Sequence, residues 1–165
     1  MKRKNYEKFE RIYSDYKNTV LKISYIYLQD YHLAEDATQE TFCKALNKIG
    51  ALKDENKAKA WVSKICVNVC RDILRHKSHR EITVEDKHLD SVSEELDLDN
   101  TLTVTEAIGQ LPDEIRAAII LFYYQQFKQR EIAEILKIPE KDVAYRIRKG
   151  KNLLRKMLKE DFSND

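Results

Sequence analysis

Glycine and proline are scarce in this chain: three Gly and two Pro in 165 residues. So few turn-forming residues leave little room for an all-β fold and suit a nearly all-helical protein. Long apolar runs are missing too. The longest, Ala117 to Tyr124, has eight residues, far short of the roughly 20 that span a bilayer. Lys and Glu break every early window, so no secretory apolar segment follows Met1. Three cysteines without a paired framework suit a reducing compartment. The chain also lacks a Gly-rich phosphate loop, a Ser-His-Asp set and a carboxylate pair in a cleft-like context, which argues against an enzyme. These absences predict a soluble cytoplasmic protein that inserts into no membrane and uses no cofactor.

Charge is plentiful and unevenly spread. The net charge is only +2, yet residues 1–80 hold 17 Lys and Arg against 10 Asp and Glu, and residues 81–103 hold 1 against 8. Residues 104–165 hold 12 against 10, with 8 against 1 inside 141–159. Two bodies rich in Lys and Arg therefore flank an acidic strip, Glu81 to Thr103. Its weak periodicity and abundant Asp, Ser, Thr and Asn read as a linker. Solvation alone accounts for such a strip; mimicry of nucleic acid inside a positively charged channel is the second reading.

The C-terminal third is the most specific stretch. Gln129 to Lys137 carries one apolar stripe and Glu140 to Met157 another, with Ile138-Pro139 between them. Two amphipathic helices around so tight a turn predict a helix-turn-helix. The second helix holds Lys141, Arg146, Arg148, Lys149, Lys151, Arg155 and Lys156, with Val143, Ile147, Gly150 and Leu154 expected to face inward. A helix of that charge suits a DNA major groove. A short helix over Thr105 to Gln110 and a longer one from Asp113 to about Gln126, opened by Leu111-Pro112, supply the body it packs on.

In the N-terminal half, residues 5–28 place Tyr6, Phe9, Tyr13, Tyr16, Val20, Ile23 and Tyr27 at spacings of three and four, the buried stripe expected of a long helix. A second helix, about Leu33 to Ile49, sets Leu33, Ala37, Thr41, Ala45 and Leu46 on one side. Asp36, Gln39, Glu40 and Cys43 lie on the other. Such a polar face is either merely solvated or a dock for a basic protein. After the polar loop Gly50 to Lys59, a third helix runs from about Ala60 to His76. Its buried side takes Trp61, Val62, Ile65, Cys66, Val69, Cys70 and Ile73. Lys64, Asn68, Arg71 and Arg75 form a polar, largely basic stripe, which is either plain surface or a grip on single-stranded nucleic acid. Cys66 and Cys70, one turn apart with His76 and His79 nearby, invite a zinc reading. Because both thiols fall on the buried stripe, structural cysteines are preferred and no metal is expected. Cys43, on the polar face, is open to oxidants.

Three stretches in order resemble the extracytoplasmic-function group of the sigma-seventy family, the bacterial sigma factors that direct RNA polymerase to promoters. They are Leu33 to Phe42 (LAEDATQETF), Ala60-Trp61-Val62 through Lys64-Ile65 and Asn68 to Asp72-Ile73-Leu74-Arg75, and Leu111-Pro112 through Glu131 to Leu136 and on to Arg155. The resemblance implies an all-α chain of two small helical domains joined by the acidic linker, residues 1–80 and 104–165, the second containing the helix-turn-helix. It implies that Asp36, Gln39 and Glu40 dock the beta-prime coiled coil of core RNA polymerase. The loop residues Lys53, Asp54, Asn56 and Lys57, with Lys64, Asn68, Arg71 and Arg75, would hold the melted −10 promoter strand and a base flipped from it. Lys141, Asp142, Tyr145 and Arg146 would meet base edges of the −35 element, while Arg148, Lys149, Lys151 and Arg155 would neutralise phosphates. The second domain would also meet the flap of the beta subunit. An anti-sigma factor, often membrane-anchored, is the expected regulator.

The chain departs from the family pattern in places. Lys137 stands where many relatives have Gly, and a positive φ there would cost about 1 kcal/mol. Asp142, Ala144 and Tyr145 replace Thr, Lys and Ser along the reading helix, and Val67 replaces a commonly basic residue. The runner-up reading is a stand-alone helix-turn-helix regulator that does not associate with core polymerase. A helical interaction scaffold is a third, and it leaves the Arg146–Arg155 charge unexplained.

Overall fold

A computed structural model describes residues 2–79 and 102–163 of the chain; apart from its last two residues, the acidic strip and the two readings of it lie outside the described residues. The chain divides into two compact units, Met1–Val84 and Glu85–Asp165. All regular structure among the described residues is helical.

The first unit is three helices. α1 (Arg3–Leu28) ends at Gln29, whose left-handed backbone (φ 59°) turns its amide back onto the Tyr25 carbonyl at 2.8 Å. α2 (Tyr31–Asn47) starts at once, because the Asp30 carboxylate accepts the Leu33 amide at 3.1 Å and fills one of the orphan donors of a helix start. α2 begins two residues earlier than the periodicity implied and stops at Asn47, so Ile49 belongs to a separate 3-10 turn, Ile49–Ala51. A second such turn, Glu55–Lys57, leads into α3 (Ala58–His79).

All three helices meet in one core. Val20, Ile23 and Tyr27 of α1, Ala34 and Ala37 of α2, and Val62, Cys66 and Cys70 of α3 are essentially sealed from solvent. The aromatic stripe of α1 is only half right. Tyr6 and Tyr13 are 52% and 45% exposed, and Ile12 is buried in their place. Both rings lie in the first half of α1, at the surface, where Tyr13 meets Phe42 of α2 edge-on at 4.9 Å and Phe9 at 6.2 Å. On α3, Trp61 is half-buried rather than inside, and Val67 is buried. Packing against α1 and α2 at once encloses more of α3 than one stripe.

The second unit holds α4 (Leu102–Gly109), α5 (Asp113–Ile119), α6 (Gln129–Leu136) and α7 (Glu140–Ser163). α4 begins three residues before the expected Thr105. α5 does not continue as an α-helix to Gln126: from Ile120 to Tyr124 the backbone widens to a π-type turn, and Gln126 then takes a positive φ of 59°. Ile119, Ile120 and Leu121 are all sealed in the core there. α6 and α7 form the helix-turn-helix. The Glu131 carboxylate accepts the Lys128 amide at 2.9 Å at the start of α6. At its end Lys137 is left-handed (φ 57°, ψ 48°) and the Ile138 amide reaches the Ala133 carbonyl at 3.1 Å. Pro139, which has no amide hydrogen to place, then opens α7. Val143, Ile147 and Gly150 face inward, and Leu154 is half-buried.

Candidate nucleic-acid and protein interfaces

The polar face of α2 stands clear of the core. Asp36, Gln39, Glu40 and Cys43 are all exposed, while Ala34, Ala37, Thr41 and Ala45 hold the opposite side in the core. Glu40 reaches Lys44 one turn on at 3.8 Å, a weak surface pair.

Lys53, Asp54, Asn56 and Lys57 are likewise exposed, on the short segment between α2 and α3. The Asp54 carboxylate accepts the Asn56 amide at 3.0 Å and sets the turn. Leu52 is buried and pins one end; Ala58 pins the other. Two bonds reach this segment from α1, 44 residues away: Lys8 Nζ donates to the Leu52 carbonyl at 2.7 Å, and Arg11 Nη2 to Glu55 Oε1 at 2.6 Å. The Arg11 hydrogen bond holds the Glu55 carboxyl below the usual carboxylate range, with the charges of Arg11, Lys8 and Lys4 adding to it. Lys8, Arg11 and Glu55 were not among the residues singled out from sequence. The signal available was the spacing of Lys4, Lys8 and Arg11, which puts three cations on one face of α1.

On α3, Asn68 and Arg75 are exposed, and Lys64 and Arg71 half-buried, along one side. Arg75 lies 3.9 Å from Asp72. Cys66 and Cys70 are buried, with Ser24 Oγ 3.3 Å from Cys66 Sγ. Hydrogen bonds from Cys70, then Ser24 and Thr41, draw the Cys66 thiol below its ordinary value against the opposing pull of burial. Among the described residues no cluster of three or more His, Cys, Asp or Glu is placed to hold a metal ion.

On α7, Lys141, Tyr145, Arg148, Lys149, Lys151 and Arg155 are exposed, and Asp142 is half-buried. Tyr145 carries Arg148 and Lys149 near its ring, at 5.9 and 5.8 Å, while Lys151 lies 5.7 Å from the ring of Tyr123. Arg146 differs from the rest. Its side chain is 17% exposed and lies 3.8 Å from Glu114, a contact between α7 and α5 within the unit.

A helix-turn-helix with an exposed cationic flank defines a DNA-binding protein, and a separate three-helix unit with its own polar faces precedes it. The comparisons make the class specific. Residues 12–80 match Sigma-70 region 2, and residues 101–154 match Sigma-70, region 4. The ECF RNA polymerase sigma factor SigM of Bacillus subtilis is 31% identical over 150 residues, covering 84% of this chain and 90% of the relative. SigW of the same organism is 29% identical over 177 residues, covering 97% and 94%. In fold, the chain is similar to the sigma factor RpoE of Bartonella quintana, solved with the anti-sigma factor NepR. The TM-score is 0.74 at 19% identity, over 92% of this chain and 96% of that one. CnrH, solved with the cytosolic domain of CnrY, gives a TM-score of 0.70 at 21% identity, over 93% and 88%. The chain belongs to the extracytoplasmic-function group of the sigma-70 family and is an RNA polymerase sigma factor. The stand-alone regulator reading is set aside, and the family to which the chain belongs is not one of enzymes.

No helix among the described residues is long and apolar enough to cross a membrane.

Proposed function

We propose that this sigma factor distributes promoter recognition over its two units. The exposed Asp36–Gln39–Glu40 face docks the basic beta-prime coiled coil of core polymerase. The segment bearing Lys53, Asp54, Asn56 and Lys57, with Lys64, Asn68, Arg71 and Arg75 beside it, takes the melted −10 strand. α7 reads the −35 duplex through Lys141, Asp142 and Tyr145, while Arg148, Lys149, Lys151 and Arg155 neutralise phosphates. Arg146, assigned with the first three to base edges, is less exposed than the other described cations of α7 and also lies 3.8 Å from Glu114. The mechanism is binding throughout: specificity arises because one assembly holds two DNA elements at a fixed separation.

The observation that carries this reading is the coincidence of the two family regions with two independently exposed faces, one polar and acidic on α2 and one cationic on α7. The beta flap is the expected second contact of the C-terminal unit. The partner expected to silence the chain is an anti-sigma factor, which the complex formed by the similar RpoE supports. Its place of action is the cytoplasm, free or held at the membrane by that partner.

Run-off transcription sequencing with core polymerase on genomic fragments, with and without this protein, tests the whole. New transcripts sharing a pair of upstream elements are expected. Soluble folded protein and active core that yield no new starts would defeat the proposal.

A further inference from the structure

The segment assigned to strand capture has little structure of its own: a three-residue 3-10 turn between two buried anchors, Leu52 and Ala58. Turns that short do not fix the direction of their side chains, and a pocket for one base needs them fixed to within about 0.5 Å. The rigidity comes from α1. Lys8 holds the Leu52 carbonyl at 2.7 Å and Arg11 holds the Glu55 carboxylate at 2.6 Å, so the two bonds bracket Lys53 and Asp54. Asn5, one turn earlier, brings its amide nitrogen to 3.7 Å from where a Cβ would sit on Gly50. These interactions add little to the stability of the fold. Arg11 and Glu55 are 55% and 47% exposed, and pairs so solvated contribute slightly. Their geometric effect is larger, because each joins a 26-residue helix to a segment that lacks its own scaffold.

We infer that Lys8 and Arg11 are positioning residues for the strand-capture segment, setting the direction of Lys53, Asp54, Asn56 and Lys57 without touching DNA. This rests on the proposal that the segment takes a promoter base.

The test is a charge swap in the full-length protein assembled with core polymerase, on a promoter identified by run-off sequencing. Promoter opening is read from 2-aminopurine fluorescence in the −10 element, and core binding and thermal melting are measured alongside. Arg11→Glu and Glu55→Arg alone should each slow opening about five- to tenfold, within the range that coupled neighbours show. Core affinity and melting should stay as in the wild type. The double variant should return opening to within about twofold of wild type, a recovery that a direct DNA contact would not give, while the unchanged melting of the single variants separates positioning from a merely structural role. Lys8→Met should slow opening in the same direction. Single variants that open like wild type would overturn the inference, and so would singles that are slow with no recovery in the double. A wild-type protein that binds core and yields run-off transcripts yet leaves the reporter base stacked would instead remove the strand-capture reading beneath it.

Discussion

Lys137 and Gly150 place opposite demands on glycine within the same unit. Lys137 holds φ 57° and ψ 48°, a conformation in which an L side chain crowds its own backbone. Gly150 has an ordinary helical backbone, but a Cβ there would fall 2.6 Å from both Cγ1 and Cδ1 of Ile119 and 3.0 Å from Cγ2 of Ile115. Ile119 is sealed from solvent and has nowhere to turn. Lys137→Gly should therefore stabilise the C-terminal unit, by about 0.5–1 kcal/mol. Gly150→Ala should destabilise it, although alanine gains about 1 kcal/mol of helix propensity, because overpacking typically costs about 1–3 kcal/mol and here involves two isoleucines. Urea denaturation of the full chain, following the transition of the C-terminal unit, reads both signs. A neutral Gly150→Ala would mean that α5 yields to α7 without strain.

At the scale of elements, periodicity carried most of the fold, and its failures have local causes. The helix-turn-helix was readable because α6 and α7 each bury one narrow stripe, Ile132, Ile135 and Leu136 on one and Val143 and Ile147 on the other. The π-type end of α5 was not, because Ile119, Ile120 and Leu121 are all buried and leave no phase for a stripe to show. The exposed Tyr6 and Tyr13 misled for the opposite reason: their spacing is helical, but what meets that end of α1 leaves the two rings about half exposed. Candidate surface residues such as Asn68 and Lys149 could be picked by phase alone. The hold of Lys8 and Arg11 on the loop could not, since nothing local encodes a partner 44 residues away. The α7 flank can be tested as an element. Arg148 and Lys149 are exposed and lie against the Tyr145 ring, so replacing both with Ala should leave the helix intact. Promoter binding by the assembled enzyme should weaken almost uniformly across sequences. Its logarithmic salt dependence should fall by about 0.9 for each phosphate that is no longer neutralised. An unchanged slope would place these residues off the DNA.

At the scale of the whole molecule, the two units let one function be removed while the others stay folded. Glu40 is the position for this. Its side chain is 55% exposed, it pairs with Lys44 at 3.8 Å, and none of the core of the first unit depends on it. Glu40→Lys should therefore change stability by less than about 0.5 kcal/mol, as surface substitutions do. It also places a cation where the proposed dock meets a basic coiled coil, and like charges facing each other across an interface cost several kcal/mol, about a hundredfold or more in affinity. The variant should lose co-purification with core polymerase and run-off transcription together, with its melting curve unchanged. Asp36→Lys, on the same face, should act alike, whereas Glu35→Lys, one position away and paired with His32 at 3.9 Å, should retain more binding. Equal losses at all three positions would assign the effect to the net charge of the unit; no loss at Glu40 would move the dock off α2. Retained core binding with lost transcription would make this face part of promoter opening, and the division of labour between the units would have to be redrawn.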